Sequence, residues 1–368
     1  MTGSLIDQNV QLSYRELSFT EFTHRYKNSM PKARLFELTL PWLTATAAFM
    51  LPENSQVLVH CLFQVSKGRE PVLSIAWPLV HNQAEKKITS LTSFYSAVAE
   101  PIFLTSPSKE SMAQLLTYIQ QHHQWHSMQL GAFEEGLVSQ ALFESFPYQR
   151  IFSSTDNVYQ SGISDYVSYY QQRPSQLRNT IKRREKKLSK AHQYRIEIIT
   201  ELSGFSSAFS AYKNIYQQSW KGDEFSFDFI EQVSLAALQE NKLRLGVLFV
   251  DDEPAAAQLW FLQTSHNDSG AVEVTASIFK LAYAPKYQMY SVGSIVSLAL
   301  SEHVISEDQV TAIEFGMGSE PYKQDWLSAK KTRQSYQIFN QHSIYGKLAI
   351  IRHLVLPRLI KIFTRKSK

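Results

Sequence analysis

A chain of 368 residues that is 44% hydrophobic and 19% charged has the composition of a folded globular protein and a length that suits two domains, which excludes disorder as its main state. The net charge of +4 is unevenly placed: residues 173–190 hold eight cations against the single anion Glu185, and residues 347–368 hold seven against none. Setting these segments aside leaves 22 cations against 32 anions, an acidic body with two basic attachments.

One cysteine, Cys61, in the apolar run VLVHCLFQV excludes a disulfide framework and a cysteine-built structural zinc site, and reads as a core residue. The first 25 residues carry Asp7, Glu16 and Glu21 and no apolar signal core. Nowhere does an uncharged stretch approach the ~18 apolar residues of a spanning helix. The expectation is a soluble cytoplasmic protein.

In chain order, a polar, aromatic-containing region runs to about residue 48, with a helix expected near 19–27. Alternation then predicts strands over 56–65, 71–80 and 87–98, the first two joined by a turn at Lys67-Gly68-Arg69. A helical period returns over 111–125, followed by a strand at 128–133, a helix at 134–146 and a strand at 149–153. Residues 174–190 form a basic helix with Leu177, Ile181 and Leu188 as its apolar side and Pro174 suited to its first turn.

The second half predicts a strand at 194–200, helices at 205–220 and 228–239, and strands at 242–250, 254–263 and 272–280, with a polar turn at 266–270. A helix at 291–304, a strand at 311–315, a short helix at 321–327 and a strand at 333–339 follow. Both halves run three strands, helix, strand, helix, strand, an element-level repeat without residue identity. The expected boundaries are 1–172 for the first domain, 173–193 for the basic linking helix, 194–343 for the second domain and 344–368 for a basic amphipathic tail.

Three stretches carry chemistry. In EFGMGSEPYKQDW, residues 314–326, a strand exits through Gly316 and Gly318 into a short helix bearing Tyr322 and Lys323. Glycine is scarce in this chain, 13 in all, so two at one strand end mark a sharp turn or a ligand's approach; an ordinary strand-to-helix turn is the alternative. In QMYSVGS, residues 288–294, Gln288, Ser291, Gly293 and Ser294 stand where backbone N–H groups at a helix start can hold a phosphate, unless Ser291 is a plain helix cap. In YKNIYQQSWKGD, residues 212–223, Tyr212, Tyr216 and Trp220 share a helix face, a core stripe from which Trp220, beside Lys221, is the ring best placed to line a cleft.

These stretches, with the strand pair LRLGVLFVDDEPAAAQLWF and the upstream RPSQLRNTIKRREKKLSK, resemble the CelD-like, FemAB-like acyltransferases of the GNAT superfamily from about residue 40 to 339. The resemblance implies an α/β (α+β) fold of two tandem GNAT-like domains, each a mixed sheet flanked by helices, joined by the basic helix. It implies transfer of an acyl group, acetyl first, from acyl-CoA to an amine of a sugar, polysaccharide or cell-envelope precursor, with no metal. In the Fem branch the donor is aminoacyl-tRNA. Two departures are Glu314, where the family often has Asp, and Ser291-Val292-Gly293, where a Ser-Pro-Gly turn is usual.

Attack of an amine on a thioester needs a proton route and oxyanion donors but no protein nucleophile. The expected catalytic set is Tyr322 as donor to the thiolate, Lys323 as a neutralising cation, and Glu314 or Glu320 as base. Gln288, Ser291, Gly293 and Ser294 are expected on the cofactor, and Trp220, Lys221, Gly316, Gly318 and Arg178 on the substrate. The alternatives are a catalytically degenerate protein that binds a partner or a phosphate-rich ligand, and tRNA engagement through the basic helix. His122, His123 and His126 have metal-like spacing but read as a solvated helix end. The segment 344–368 reads either as a peripheral membrane-surface helix interrupted at Pro357 or as a docked terminal helix.

Overall fold

The computed structural model describes residues 11–266 and 270–365, with side chains through residue 360. Residues 267–269 of the predicted polar turn and the terminal cations Lys366 and Lys368 lie outside the described residues.

The described residues begin with strand β1 (Gln11–Ser18), which the sequence reading did not anticipate, then helices α1 (Phe19–Tyr26) and α2 (Leu40–Phe49). The hairpin β2 (Ser55–Val65) and β3 (Val72–Asn82) precedes β4 (Lys87–Ser90), the short β5 (Ile102–Phe103), α3 (Lys109–His122), β6 (Ser127–Glu134), α4 (Leu137–Ser145) and β7 (Gln149–Gln160). Helix α5 (Tyr166–Gln171) leads to the basic helix α6 (Ser175–Ala191). The order then repeats: β8 (Tyr194–Ile199), α7 (Leu202–Gln218), α8 (Phe227–Gln239), β9 (Leu243–Val250), β10 (Glu253–His266), β11 (Val272–Tyr283), α9 (Val292–Ser306), β12 (Ala312–Met317), α10 (Pro321–Gln324) and β13 (Ala329–Phe339). Helix α11 (Ile344–Ile350), a π-helical turn (Ile351–Val355) and α12 (Leu356–Arg365) complete the described chain.

Two compact units result, one from the described residues of 1–31, 50–155 and 332–368, the other from 32–49 and 156–331. The first unit's sheet runs β1-β2-β3-β4-β6-β13 with β5 beside β3; the second's runs β8-β9-β10-β11-β12-β7. In each, the one parallel pair stands at the same place, β4 with β6 and β11 with β12. The element-level repeat is therefore a repeat of sheet order too, the tandem GNAT-like architecture. The units interleave in sequence where the sequence reading drew contiguous domains. The reason is the last strand of each repeat: residues 333–339 of β13 pair with β6, and residues 157–160 of β7 pair with β12. Helix α2 goes with the second unit because Trp42, fully buried, meets Phe229 and Phe279 edge-on at 5.1 and 5.3 Å between ring centroids. Cutting such a residue back to alanine costs roughly 3–5 kcal/mol.

Three sequence expectations change. The strand predicted over 87–98 stops at Ser90, because Ser93 and Ser96 side chains accept the backbone N–H groups of Tyr95 and Ser93 and turn the chain out of the sheet. Pro174 stands at the cap position of α6, one residue before its first turn. Pro357 does not interrupt the terminal helix. It follows a π turn in which the Leu356 N–H bonds Ile351 O, a local shift of hydrogen-bond register within one continuous helical run that accommodates a residue without an N–H.

Candidate active site

The second unit holds a cavity of about 430 Å³ at the end of the parallel β11/β12 pair. Its floor is the start of α9. Ser291, the residue before that helix, is left-handed (φ 56°, ψ 40°), and its side chain makes no capping hydrogen bond. The first intrahelical bonds to Ser291 O come from the Ser294 and Ile295 N–H groups, so Val292 and Gly293, both lining the cavity, present a helix N-terminus to it. A Cβ on Gly293 would stand 3.3 Å from the Tyr283 ring, tight enough to crowd the wall.

Gln258 on β10 fixes this floor. Its amide donates to Gly293 O at 2.9 Å and Ser297 Oγ at 2.6 Å, and its oxygen accepts from the Trp260 indole at 2.9 Å. The walls are aromatic: Trp220 packs on Tyr283 at 4.4 Å, and Tyr322 meets Phe315 edge-on at 6.1 Å. Outside the lining, α6 lies along the turn that precedes α9. Arg184 donates to Met289 O, and the Lys187 ammonium sits 5.6 Å above the Tyr290 ring. Positive charge is thus held beside the phosphate-type loop.

Two lining side chains have altered acidity. Burial, and after it the positive charge of the neighbouring Lys280, pull the Lys221 ammonium down to about 8, with Glu224 partly offsetting. The Lys221 head donates to Leu281 O and lies over the Tyr216 and Trp220 rings, although the residue as a whole is exposed. Burial, then the charge of Glu320, push the Tyr322 phenol up to about 12, so it stays a hydrogen-bond donor. Behind them Lys280 and Glu224 form a buried ion pair at 2.9 Å.

The sequence-predicted residues divide by location. Gln288, Ser291, Gly293, Ser294, Trp220, Lys221 and Tyr322 line one cavity. Lys323 and Glu320 do not: the buried Lys323 ammonium donates to Met317 O at 2.6 Å and pairs with Glu320 at 2.8 Å, stapling the turn through Gly318, whose φ of +99° suits glycine. Gly316 has ordinary room for a side chain, with Ile278 O at 3.7 Å. Glu314 faces away from the main cavity because it precedes Phe315 on a strand whose successive side chains alternate. It pairs with Lys331 at 2.5 Å and lines a separate cavity of about 190 Å³ with Arg34 and Tyr159. Arg178 donates to Arg173 O at 3.1 Å, also outside the lining. Sequence reasoning missed Gln258, Tyr283 and Ser297. A lone polar residue in AAAQLWF was the available signal for Gln258.

Residues 175–324 match the family model described as an acetyltransferase (GNAT) domain. That stretch runs from the start of α6 to the end of α10 and contains every cavity-lining residue except Trp326. Among curated proteins none matches the chain. Among solved structures, FemX shares the fold at a TM-score of 0.59 and 9% identity, over 90% of this chain and 98% of that one. A protein of unknown function from Bacteroides thetaiotaomicron VPI-5482 does so at 0.54 and 9%, over 90% of this chain and 100% of that one. The chain thus has the GNAT-type acyltransferase fold that its sequence motifs resemble.

Proposed function

We propose that the chain, whose residues 175–324 match the GNAT acetyltransferase domain, is an N-acyltransferase that moves an acyl group, acetyl in the simplest case, from acyl-CoA to an amine of a sugar, polysaccharide or cell-envelope precursor. The observation that carries this reading is the uncapped N-terminus of α9 opening into a cavity with aromatic walls and an ammonium held near pH 8.

The donor's pyrophosphate accepts hydrogen bonds from the Val292 and Gly293 N–H groups, and α6 adds positive potential alongside. The thioester then lies toward Lys221 and Tyr322. The amine nitrogen attacks the thioester carbon, negative charge builds on the carbonyl oxygen, and the C–S bond breaks. Tyr322 gives its proton to the leaving sulfur, while Lys221 in its neutral form takes the proton from the attacking nitrogen. Amide and free coenzyme A leave, and solvent returns Lys221 and Tyr322 to their starting states. Lys221 takes the base role in preference to Glu314 and Glu320, since no carboxylate is among the described residues that line the cavity. Lys323 and Glu320 are positioning residues for the turn behind Tyr322.

One observation favours a second donor. Helix α6 leaves Lys182, Arg183, Lys186 and Lys190 exposed on one element, a charge pattern that suits the backbone of aminoacyl-tRNA. The test mixes the protein with acetyl-CoA and a panel of amino sugars, following free thiol and the mass of the acceptor. Thiol release coupled to acceptor acylation supports the proposal. Transfer from aminoacyl-tRNA with no reaction of any acyl-CoA overturns it.

Peripheral contact with an anionic membrane face belongs to the same proposal. No helix among the described residues is long and apolar enough to cross a membrane. Ile344, Leu348, Ile351, Val355 and Leu359 nevertheless recur at helical spacing and are all exposed, with Lys347, Arg352 and Arg358 between them. Flotation with anionic vesicles that is lost on deleting 344–368 is the expected result.

A further inference from the structure

The first unit contains a second cluster of chemistry-bearing side chains, and no part of the proposed acyl transfer uses it. His60 on β2, His81 at the end of β3 and His123 just after α3 bring one ring nitrogen each to within 4.8 Å of one another. Their ring centroids are 4.6 to 5.1 Å apart. His60 is fully buried and His81 is 7% exposed. The His60 and His81 Nε2 atoms face each other at 2.8 Å. The His123 Nε2 is 2.7 Å from a carboxylate oxygen of Glu16, yet that buried nitrogen has no hydrogen-bond partner of acceptable geometry. Glu16 is the cross-strand neighbour of His60 in the β1/β2 ladder.

Packing alone does not account for this arrangement. His60 is hydrogen-bonded at both ring nitrogens, to Tyr14 and to His81, which leaves the buried His123 Nε2 as the nitrogen of the three without a hydrogen-bond partner, an unfavourable state for a buried polar atom. A cation at their centre satisfies all three. Two nitrogens bound to one tetrahedral zinc at ~2.05 Å stand about 3.3 Å apart, so the cluster needs ring movements of only about an ångström to close. The outer partner is also in place: the His60 Nδ1 is 2.7 Å from the Tyr14 hydroxyl, which orients the ring with Nε2 inward, as partners behind metal-binding histidines do.

We propose that His60, His81 and His123, with Glu16 as the fourth ligand, form a zinc-class divalent metal site in the first unit. It ties β1, β2, β3 and the C-terminal end of α3 at one point. Three nitrogens and one carboxylate form a closed tetrahedral set, the arrangement of a structural ion. The sequence reading noted the spacing of His122, His123 and His126 but took them for a solvated helix end. His122 instead contacts Tyr118 O and His126 contacts Ser343 Oγ, and only His123 enters the cluster.

The test uses the full chain without a histidine tag, stripped with chelator and titrated with Zn2+ and Co2+. One ion per chain, a raised melting temperature and the intense visible absorption of tetrahedral Co2+ are expected. His81→Gln and His123→Gln should abolish binding, His122→Gln and His126→Gln should preserve it, and Tyr14→Phe should weaken it roughly 10- to 100-fold. Absence of stoichiometric binding by the folded parent chain overturns the proposal, as does binding that survives the His81→Gln, His123→Gln pair. If those variants do not fold, the parent's Co2+ spectrum decides: a tetrahedral spectrum supports the site and a pale octahedral one overturns it.

Discussion

Helices α3 and α9 occupy the same place in the two repeats, each entered after the third strand of a meander and followed by a strand parallel to it, but their first turns are built differently. The start of α3 is closed on itself. Ser108 accepts from the Ser111 N–H, and Ser111 Oγ accepts from the Ser108 N–H, a reciprocal capping box. In the same unit the chain after β4 folds back onto β6, where the Ala99 N–H bonds Ala132 O at 2.8 Å. The start of α9 is left uncapped, over a cavity. One repeat closes its helix N-terminus with side chains, and the other leaves it open to a cavity.

The sharpest break of this contrast is to place a negative charge on the open end. Ser294→Asp adds a carboxylate in the first turn of α9, where it favours the helix by about 0.5 kcal/mol but competes with a phosphate. Acyl-CoA affinity should fall about 100-fold, equivalent to ~2.7 kcal/mol, while thermal stability is unchanged or higher. Calorimetric titration beside a melting curve separates the two. Joint loss of stability and binding would mean the helix start is structural, as it is in α3.

Tyr322→Phe comes next. It removes only a hydroxyl that makes no protein hydrogen bond among the described residues, so the fold should be untouched. Turnover should fall roughly 100-fold with little change in KM for acyl-CoA. Steady-state kinetics with a thiol-detecting assay measure both terms, and equal turnover would remove Tyr322 from the chemistry.

Lys221→Met tests the proton route. Because the ammonium is pulled down to about 8, the neutral form grows as pH rises through that value. The parent's kcat should therefore climb between pH 7 and 9, roughly tenfold per unit below the midpoint and levelling above it. In the variant that limb should be lost and the rate at pH 8 should fall about tenfold. A limb that persists unchanged would assign the titration to the acceptor amine.

Much of this site was legible before any coordinates, and the part that was not has a common physical cause. Strand and helix periods located the meanders, and the motif at 288–294 located the helix start, because both are short-range patterns. Alternation should also have warned against pairing Glu314 with Tyr322: Glu314 and Phe315 must face opposite sides of one strand. Lys323 looked like a free cation in sequence. Only the fold shows its ammonium tied to Met317 O and Glu320. The partners of Gln258 and the histidine cluster were hidden for another reason. They lie tens of residues away, 35 between Gln258 and Gly293 and 21 between His60 and His81, and no local period encodes such contacts. The exchange of β7 and β13 is of the same kind, since strand partnership is set by the sheet and leaves no mark within the strand.

The smallest expected effect bears most directly on why the two helix starts differ. Ser291 holds a left-handed conformation that costs an L-residue roughly 1–2 kcal/mol, and glycine would adopt it freely at an entropic cost of about 0.5–1 kcal/mol in the folded chain. Ser291→Gly should therefore stabilise the protein by only ~0.5 kcal/mol, readable as a shift in urea midpoint at constant m. If the first-turn amides alone hold the phosphate, acyl-CoA affinity stays level and the serine hydroxyl plays no part in binding. If affinity falls while stability rises, the hydroxyl reaches the ligand. The strain at Ser291 would then be what aims it, a role the capped and relaxed Ser108 of the first repeat does not have.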